Sequence, residues 1–351
     1  MFFINLFLIV LNNMILRYCL NMDNQTKNFL LNNWFLVGAV SELASKNDFK
    51  TLEIFNQPVI IYNTGDDIKA FSNICPHRGS KIKLKKKGNE ILRCDYHGWC
   101  YDKNGHFLSA PFFNGKFKTK PKLTKWSTKI FGDLIFISDA KVKITLSKYL
   151  NKSLLNQIVA KDIGKLIHSD EYIWKCNWKT AVENSIDEYH APFLHKSTFK
   201  NILNLKPKYF INDKTSSVVM PVDNNYLNSI NKNKDLFNKR KNKNYIHILF
   251  FPCTTFASTM GIFNFIQTYF PINDETTKIT TNIFLNVENK KLKNNLILST
   301  LVEYAIRFNQ TVFKEDQIIN ESIKFGNNSN LRPIFTKYEE RVKKFRKLVK
   351  L

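Results

Sequence analysis

Cys75-Pro76-His77-Arg78-Gly79 and Cys94-Asp95-Tyr96-His97-Gly98-Trp99 constrain this chain more than any other feature: C-x-H, sixteen residues, then C-x-x-H. Each half carries one Cys and one His, where a strand gives way to a tight loop containing Gly or Pro. Two such loops facing each other bring four metal-ligating side chains around one point. Tetrahedral zinc accepts that set. So does a [2Fe–2S] cluster in which two His replace two Cys on one iron. Zinc fingers usually pair Cys with Cys and His with His, with the His on a helix. Mixed halves suit two irons with unlike ligands.

A second constellation runs from Asn177-Trp178-Lys179 through Glu183-Asn184 and Asp187-Glu188-Tyr189-His190 to His195. On one continuous helix His190 and His195 would point about 140° apart. Pro192 cannot donate to the carbonyl of Glu188 and pushes Ala191 out of the helical region. A helix over Trp178–His190 is therefore expected to end near His190, with the chain turning back to present His195. Asp187, three residues before His190, lies on nearly the same face and can hydrogen-bond to it. A two-His-one-carboxylate iron site needs one acid more. In a long helix expected over roughly Leu296–Phe325, residues Leu301, Ala305, Phe308, Val312, Ile319 and Ile323 form an apolar stripe. Asp316 sits on that stripe, about 40° from Val312, and Glu315 about 60° to the other side. Periodicity mildly prefers Asp316 and leaves Glu315 open.

Together these residues resemble the Rieske non-haem iron oxygenases, the ring-hydroxylating oxygenase α-subunit superfamily. Cys-Pro-His-Arg-Gly and Cys-x-Tyr-His-Gly-Trp are that family's paired loops. Its Asn-Trp-Lys…Glu-Asn…Asp-x-Tyr-His-x4-His matches Asn177 through His195, and Glu315-Asp316 resembles its downstream Glu-Asp. The resemblance spans about 33–325. It implies an α+β fold: an all-β Rieske domain over 30–140, then an α+β catalytic domain over 146–351 with an antiparallel sheet and a long C-terminal helix. Cys75 and Cys94 would ligate one iron of a Rieske [2Fe–2S] cluster and His77 and His97 the other, with Tyr96 bonded to a sulfur. His190, His195 and Asp316 would hold one mononuclear Fe(II). In the homotrimer the family implies, Asp187 would bridge a neighbour's His97 or His77 to His190, with Asn184 and Glu183 beside the site.

The implied function is a terminal oxygenase that uses O2 to hydroxylate, dihydroxylate or oxidatively demethylate a small aromatic or apolar substrate. No G-x-G-x-x-G occurs, so its electrons must come from a separate NAD(P)H-dependent reductase or a ferredoxin. The length suits oxygenases and demethylases that lack a β-subunit. Two rivals stand beside this reading. A pure Rieske electron carrier leaves His190, His195 and Asp316 without a role. A zinc-dependent nucleic-acid binder is supported only by charge.

That charge is 53 − 29 = +24. Lys, Asn, Ile and Phe are over-used together, which points to codon bias rather than to polyanion binding, so no nucleic-acid partner is expected. Thirty Phe and 44% hydrophobic residues exclude a disordered chain. Six Cys in 351 residues make no disulfide scaffold, and a reducing, cytoplasmic setting follows. Residues 2–11 are too short an apolar run to span a membrane. Residues 1–21 are read as an upstream extension or misassigned start, with Met22 as initiator. Strands are expected at Leu52–Phe55, Val59–Tyr62, Ile68–Phe71, Asp133–Ile137, Tyr245–Phe251 and Phe263–Phe270, and in the alternating segment from Ile279 to Val287. Asn231–Asn244 reads as a solvated loop, Lys81–Lys87 as a solvated hairpin, and Arg341–Lys350 as the charged face of a helix. Cys100, Cys176 and Cys253 are expected as core thiols, and His106, His168 and His247 as structural. Phe251, Phe256, Phe263 and Phe265 are expected to line the pocket.

Overall fold

The computed structural model describes residues 28–29, 31–150, 154, 162–199, 206–225, 227–228, 244–287, 296–323 and 333–349. The expectations for residues 1–22 and for 231–243 lie outside them. The first half holds β1 (Phe35–Ala39), β2 (Asp48–Ile54), β3 (Gln57–Asn63), β4 (Ile68–Ser72), β5 (Lys87–Asn89), β6 (Cys100–Tyr101), β7 (Phe107–Ser109), β8 (Lys125–Phe131) and β9 (Leu134–Asp139). Seven of these form an antiparallel sheet in the order β1-β9-β8-β4-β3-β2-β5, and β6-β7 is a separate hairpin. Phe55 and Asn56, both at positive φ, make the tight turn that joins β2 to β3.

Period-two alternation gives β3 two buried faces. Val59 and Ile61 enter a core shared with the second half of the chain. Ile60 and Tyr62 enter a core built with Cys75, Cys94, Trp99 and Tyr101 beneath the two Cys/His loops. One strand thus fixes the loops relative to the rest of the molecule.

The second sheet comprises β10 (Lys165–Trp174), β11 (Lys208–Ile211), β12 (Thr215–Pro221), β13 (Asn244–Phe250), β14 (Thr254–Thr259), β15 (Phe263–Asn273) and β16 (Thr276–Leu285). Its order is β10-β16-β15-β14-β13-β12-β11, antiparallel throughout. The helices are α1 (Leu146–Leu150), α2 (Trp178–Ser185), α3 (Ala191–Leu194), α4 (Leu296–Ser322) and α5 (Glu340–Val349). The sheets do not have separate interiors. Phe35 and Ile137 of the first pack in one cluster with Trp178, Phe270 and Phe345 of the second half, and Leu36 and Phe136 pack with Ile248 and Phe250.

Three expectations change. The helix expected to reach His190 ends at Ser185, five residues early, capped at its start by Asn177 Oδ1 accepting from the Lys179 N–H. Pro192 does not stop a helix; it lies in the first turn of α3, where its missing N–H costs nothing. The buried stripe of α4 is Leu298, Ala305, Asn309, Phe313, Asp316 and Asn320, so Ile319 and Ile323 face outward. The inward face thus mixes apolar residues with Asn309, Asp316 and Asn320. No described helix is long and apolar enough to cross a membrane.

Candidate active site

The turn 186–190 between α2 and α3 carries Asp187 and His190, and the end of α3 presents His195. Helix α4 supplies Glu315 and Asp316 from across the chain. His190 Nε2 and His195 Nε2 stand 3.1 Å apart. Asp316 Oδ1 lies 3.1 Å from the second and 3.6 Å from the first. His195 Nδ1 faces Glu315 Oε2 at 2.7 Å. A carboxylate only accepts, so Nδ1 carries a proton, and in the neutral ring Nε2 presents a lone pair. Asp316 Oδ1 is buried with no hydrogen-bond donor. With both imidazoles neutral and Nε2 bare, three lone pairs converge on one point. A cation resolves this, and ligand bonds of about 2.1 Å at right angles would space the donors about 3 Å apart. The donor set fits a mononuclear Fe(II) centre with open positions. The donor atoms of the three residues lie close enough together to hold a single metal ion.

Asp187 lies off the helix. Its Oδ1 accepts from the Tyr189 N–H at 2.8 Å, and Oδ2 stands 3.5 Å from His190 Nδ1. Two ion pairs from α5 hold the same stretch: Arg346 with Glu183 at 3.1 Å, and the fully buried Arg341 with Glu188. Arg341 also reaches Ser216 and His247, so the Arg341–Lys350 run is not simply a solvated face. Burial pushes the Glu183 carboxyl up to about 7 despite Arg346 and raises that of Glu188 despite Arg341.

A cavity of about 160 Å³ opens beside the triad, lined by aromatic residues including Phe199, Tyr245, Phe263, Phe265 and Phe308, with Asn184 and Gln267. Such a volume suits a ligand of about one ring. Phe263 and Phe265 are placed there as expected. Phe251 instead packs in the shared core. Phe256, next to the cavity-lining Ala257, points to the opposite face of β14. His247 lines the cavity, against expectation.

The two Cys/His loops fold alike. The Cys75 N–H donates to Ser80 O and the Gly79 N–H to Cys75 O; the Cys94 N–H donates to Trp99 O and the Gly98 N–H to Cys94 O. Gly79 and Gly98 both take positive φ. Cys75 and Cys94 are buried, while His77 and His97 sit toward the surface with rings 4.8 Å apart. Hydroxyls serve the sulfurs: Tyr101 is 3.0 Å from Cys75 Sγ and Ser80 is 3.4 Å from Cys94 Sγ. Tyr96 does not; it is exposed, against the His97 ring. Strand alternation was the available signal, since Trp99 and Tyr101 share the buried face. Inner cysteine sulfurs within reach of hydroxyls, with outer imidazoles, fit a [2Fe–2S] cluster with unlike irons. The lysine run beside them is largely paired, with Lys83 buried between Glu90 and Asp95.

Comparison with known proteins finds two family matches along the chain. The family described as Rieske [2Fe-2S] domain matches residues 33–124. The one described as ring hydroxylating alpha subunit (catalytic domain) matches 164–350, more than half of the chain. The large subunit of anthranilate 1,2-dioxygenase from Burkholderia cepacia is 31% identical over 46% of this chain and 42% of its own length. The oxygenase subunit of glycine betaine monooxygenase from Pseudomonas aeruginosa is 29% identical over 48% and 41%. The matches thus span about half the length of these curated relatives, or less. Among solved structures, the quaternary ammonium Rieske monooxygenase CntA with inhibitor MMV12 aligns at a TM-score of 0.75, with 21% identity, covering 93% of this chain and 90% of that one. Naphthalene 1,2-dioxygenase with indole aligns at 0.68, with 18% identity, covering 86% and 78%.

Proposed function

The chain belongs to the ring-hydroxylating oxygenase alpha-subunit family, with a Rieske domain ahead of the catalytic domain, and from that premise we propose that it is the terminal oxygenase of a multicomponent system. Its substrate is a small apolar or aromatic organic molecule. The carrying observation is the convergence of His190, His195 and Asp316 beside an aromatic cavity. A pure electron carrier has no use for either. No Lys or Arg lines the cavity among the described residues, which argues against a carboxylate-bearing substrate.

In this reading Cys75 and Cys94 hold one iron of a Rieske cluster and His77 and His97 the other, while His190, His195 and Asp316 hold Fe(II). Once bound, these groups supply electron storage at the first site and O2 activation beside substrate at the second. The chain does the rest. Glu315 fixes the His195 tautomer, so that Nε2 stays a lone-pair donor. Asp187 orients His190. Phe199, Phe263, Phe265 and Phe308 exclude water and seat the substrate. Electrons come from a separate reductase or ferredoxin. A homotrimer is part of the proposal, with Asp187 meeting a neighbour's His77 or His97; the exposed Tyr96 and Phe112 near the loops support a covered surface there. A cytoplasmic setting is part of the proposal, supported by Cys100, Cys176 and Cys253, outside the cluster, being joined in no disulfide among the described residues.

Anaerobically purified protein is expected to carry about three irons and two acid-labile sulfides per chain. Two irons alone would leave an electron carrier, and zinc without sulfide would end the oxygenase reading. Substrate-coupled O2 uptake with a surrogate reductase then separates hydroxylation, dihydroxylation and demethylation.

A further inference from the structure

His247 sits on β13, buried at 4% exposure, and lines the cavity. Its cross-strand neighbour on β14 is Ala257, whose own neighbour on β15 is Phe265. The small Ala257 side chain lines the cavity beside it. On the other side His247 Nδ1 lies 3.2 Å from Arg341 Nη1. A guanidinium has donors and no acceptor, so Nδ1 must accept. An imidazole that accepts at Nδ1 is neutral and carries its proton on Nε2.

Arg341 is itself pinned. Its Nη1 also donates to Glu188 Oε1, its Nε to Ser216 Oγ at 3.3 Å, and its Nη2 to Ser216 O at 3.3 Å. Burial and the adjacent guanidinium push His247 well below the usual imidazole value, which keeps a second proton off the ring. We propose that the Nε2–H of His247, its tautomer locked by Arg341, is a substrate-orienting donor, and that the cavity takes an apolar frame bearing one carbonyl or ether oxygen. The proposal deepens the oxygenase reading and rests on it for the cavity being the substrate site.

The test uses the iron-loaded full chain and two compounds of nearly equal shape, acetophenone and α-methylstyrene, which differ by =O against =CH2. Equilibrium dialysis gives the ratio of their dissociation constants. His247→Asn keeps an acceptor for Arg341 where Nδ1 stood and removes the donor to the cavity. The ratio should move against acetophenone by roughly three- to tenfold. His247→Gln places an amide N–H near the lost Nε2 and should restore most of the preference. In a crystal structure of the acetophenone complex the carbonyl oxygen should lie within about 3.2 Å of Nε2.

An unchanged ratio in His247→Asn, or an oxygen directed elsewhere, overturns the donor role. Binding of neither compound overturns it together with the apolar substrate class. Failure of the oxygenase reading is distinguishable, because it shows as missing iron and sulfide in the unaltered protein before any ligand is added.

Discussion

Glu315 and Asp316 are adjacent in sequence and meet the same histidine at opposite nitrogens. Asp316 faces His195 Nε2 and Glu315 faces Nδ1. Asp316→Ala should therefore empty the mononuclear site, whereas Glu315→Gln should leave it occupied but weaken iron binding by roughly 10- to 100-fold. Chelator competition on both variants, with cluster absorbance as the internal control, distinguishes them; equal iron affinity in Glu315→Gln and wild type would remove Glu315 from the account. Glu183 makes a separate prediction. Its carboxyl rises from the ordinary 4.5 to about 7, chiefly through burial. The folded state thus holds a proton that the unfolded chain releases. Stability should fall as pH rises from about 4.5 to about 7, and stay lower above it, by up to about 3 kcal/mol. Glu183→Gln has no proton to lose, so its melting temperature should gain on wild type between pH 5 and pH 8. Parallel curves would show that Glu183 is not buried as described.

At the scale of elements, α5 holds the site from behind. It reaches the iron-binding stretch through Arg346–Glu183 and Arg341–Glu188 and packs Phe345 against Trp178 and Phe251. Phe345→Ala should cost about 3–5 kcal/mol and lower the melting temperature by several degrees. Its cavity would open under α2, so mononuclear iron should be lost on heating before the cluster. Simultaneous loss of both centres would mean that α5 supports the whole molecule rather than this site. The early end of α2 has the same local logic. With the helix over at Ser185, Asp187 and His190 occupy a turn whose geometry comes from α3 and from the α5 ion pairs.

At the scale of the whole molecule, the two centres have separate ligand scaffolds on one shared core. Cys75→Ser or His97→Ala should abolish the cluster and leave mononuclear iron largely loaded, as read by iron and sulfide stoichiometry. Loss of both metals from a protein that still folds would contradict the two-site description. Asp187→Asn should keep both centres while slowing reoxidation of the reduced cluster in a single turnover with O2 and substrate. Normal reoxidation in that variant would count against a bridging role for Asp187.

Two Cys/His loops, the Asp187–His190–His195 spacing, strands β2, β3, β4, β9, β13, β15 and β16 and the long helix α4 were legible in the sequence because each is local: a loop motif, a spacing of a few residues, an alternation along one strand. Strands such as β1, β8, β10, β12 and β14 were not. Tertiary structure alone decided the rest. Residue spacing put Asp316 and Glu315 on either side of one stripe, and only the approach of α4 to α3 assigned them to different nitrogens of His195. His247 and Arg341 looked like an isolated histidine and part of the charged face of a helix. They are 94 residues apart and meet in the interior, where removal from water makes each depend on the other's hydrogen bond. Phe256 left the expected pocket for a related reason. Which face of a strand is lined by substrate and which by core is set by what packs on it, and the sequence of the strand does not contain that partner.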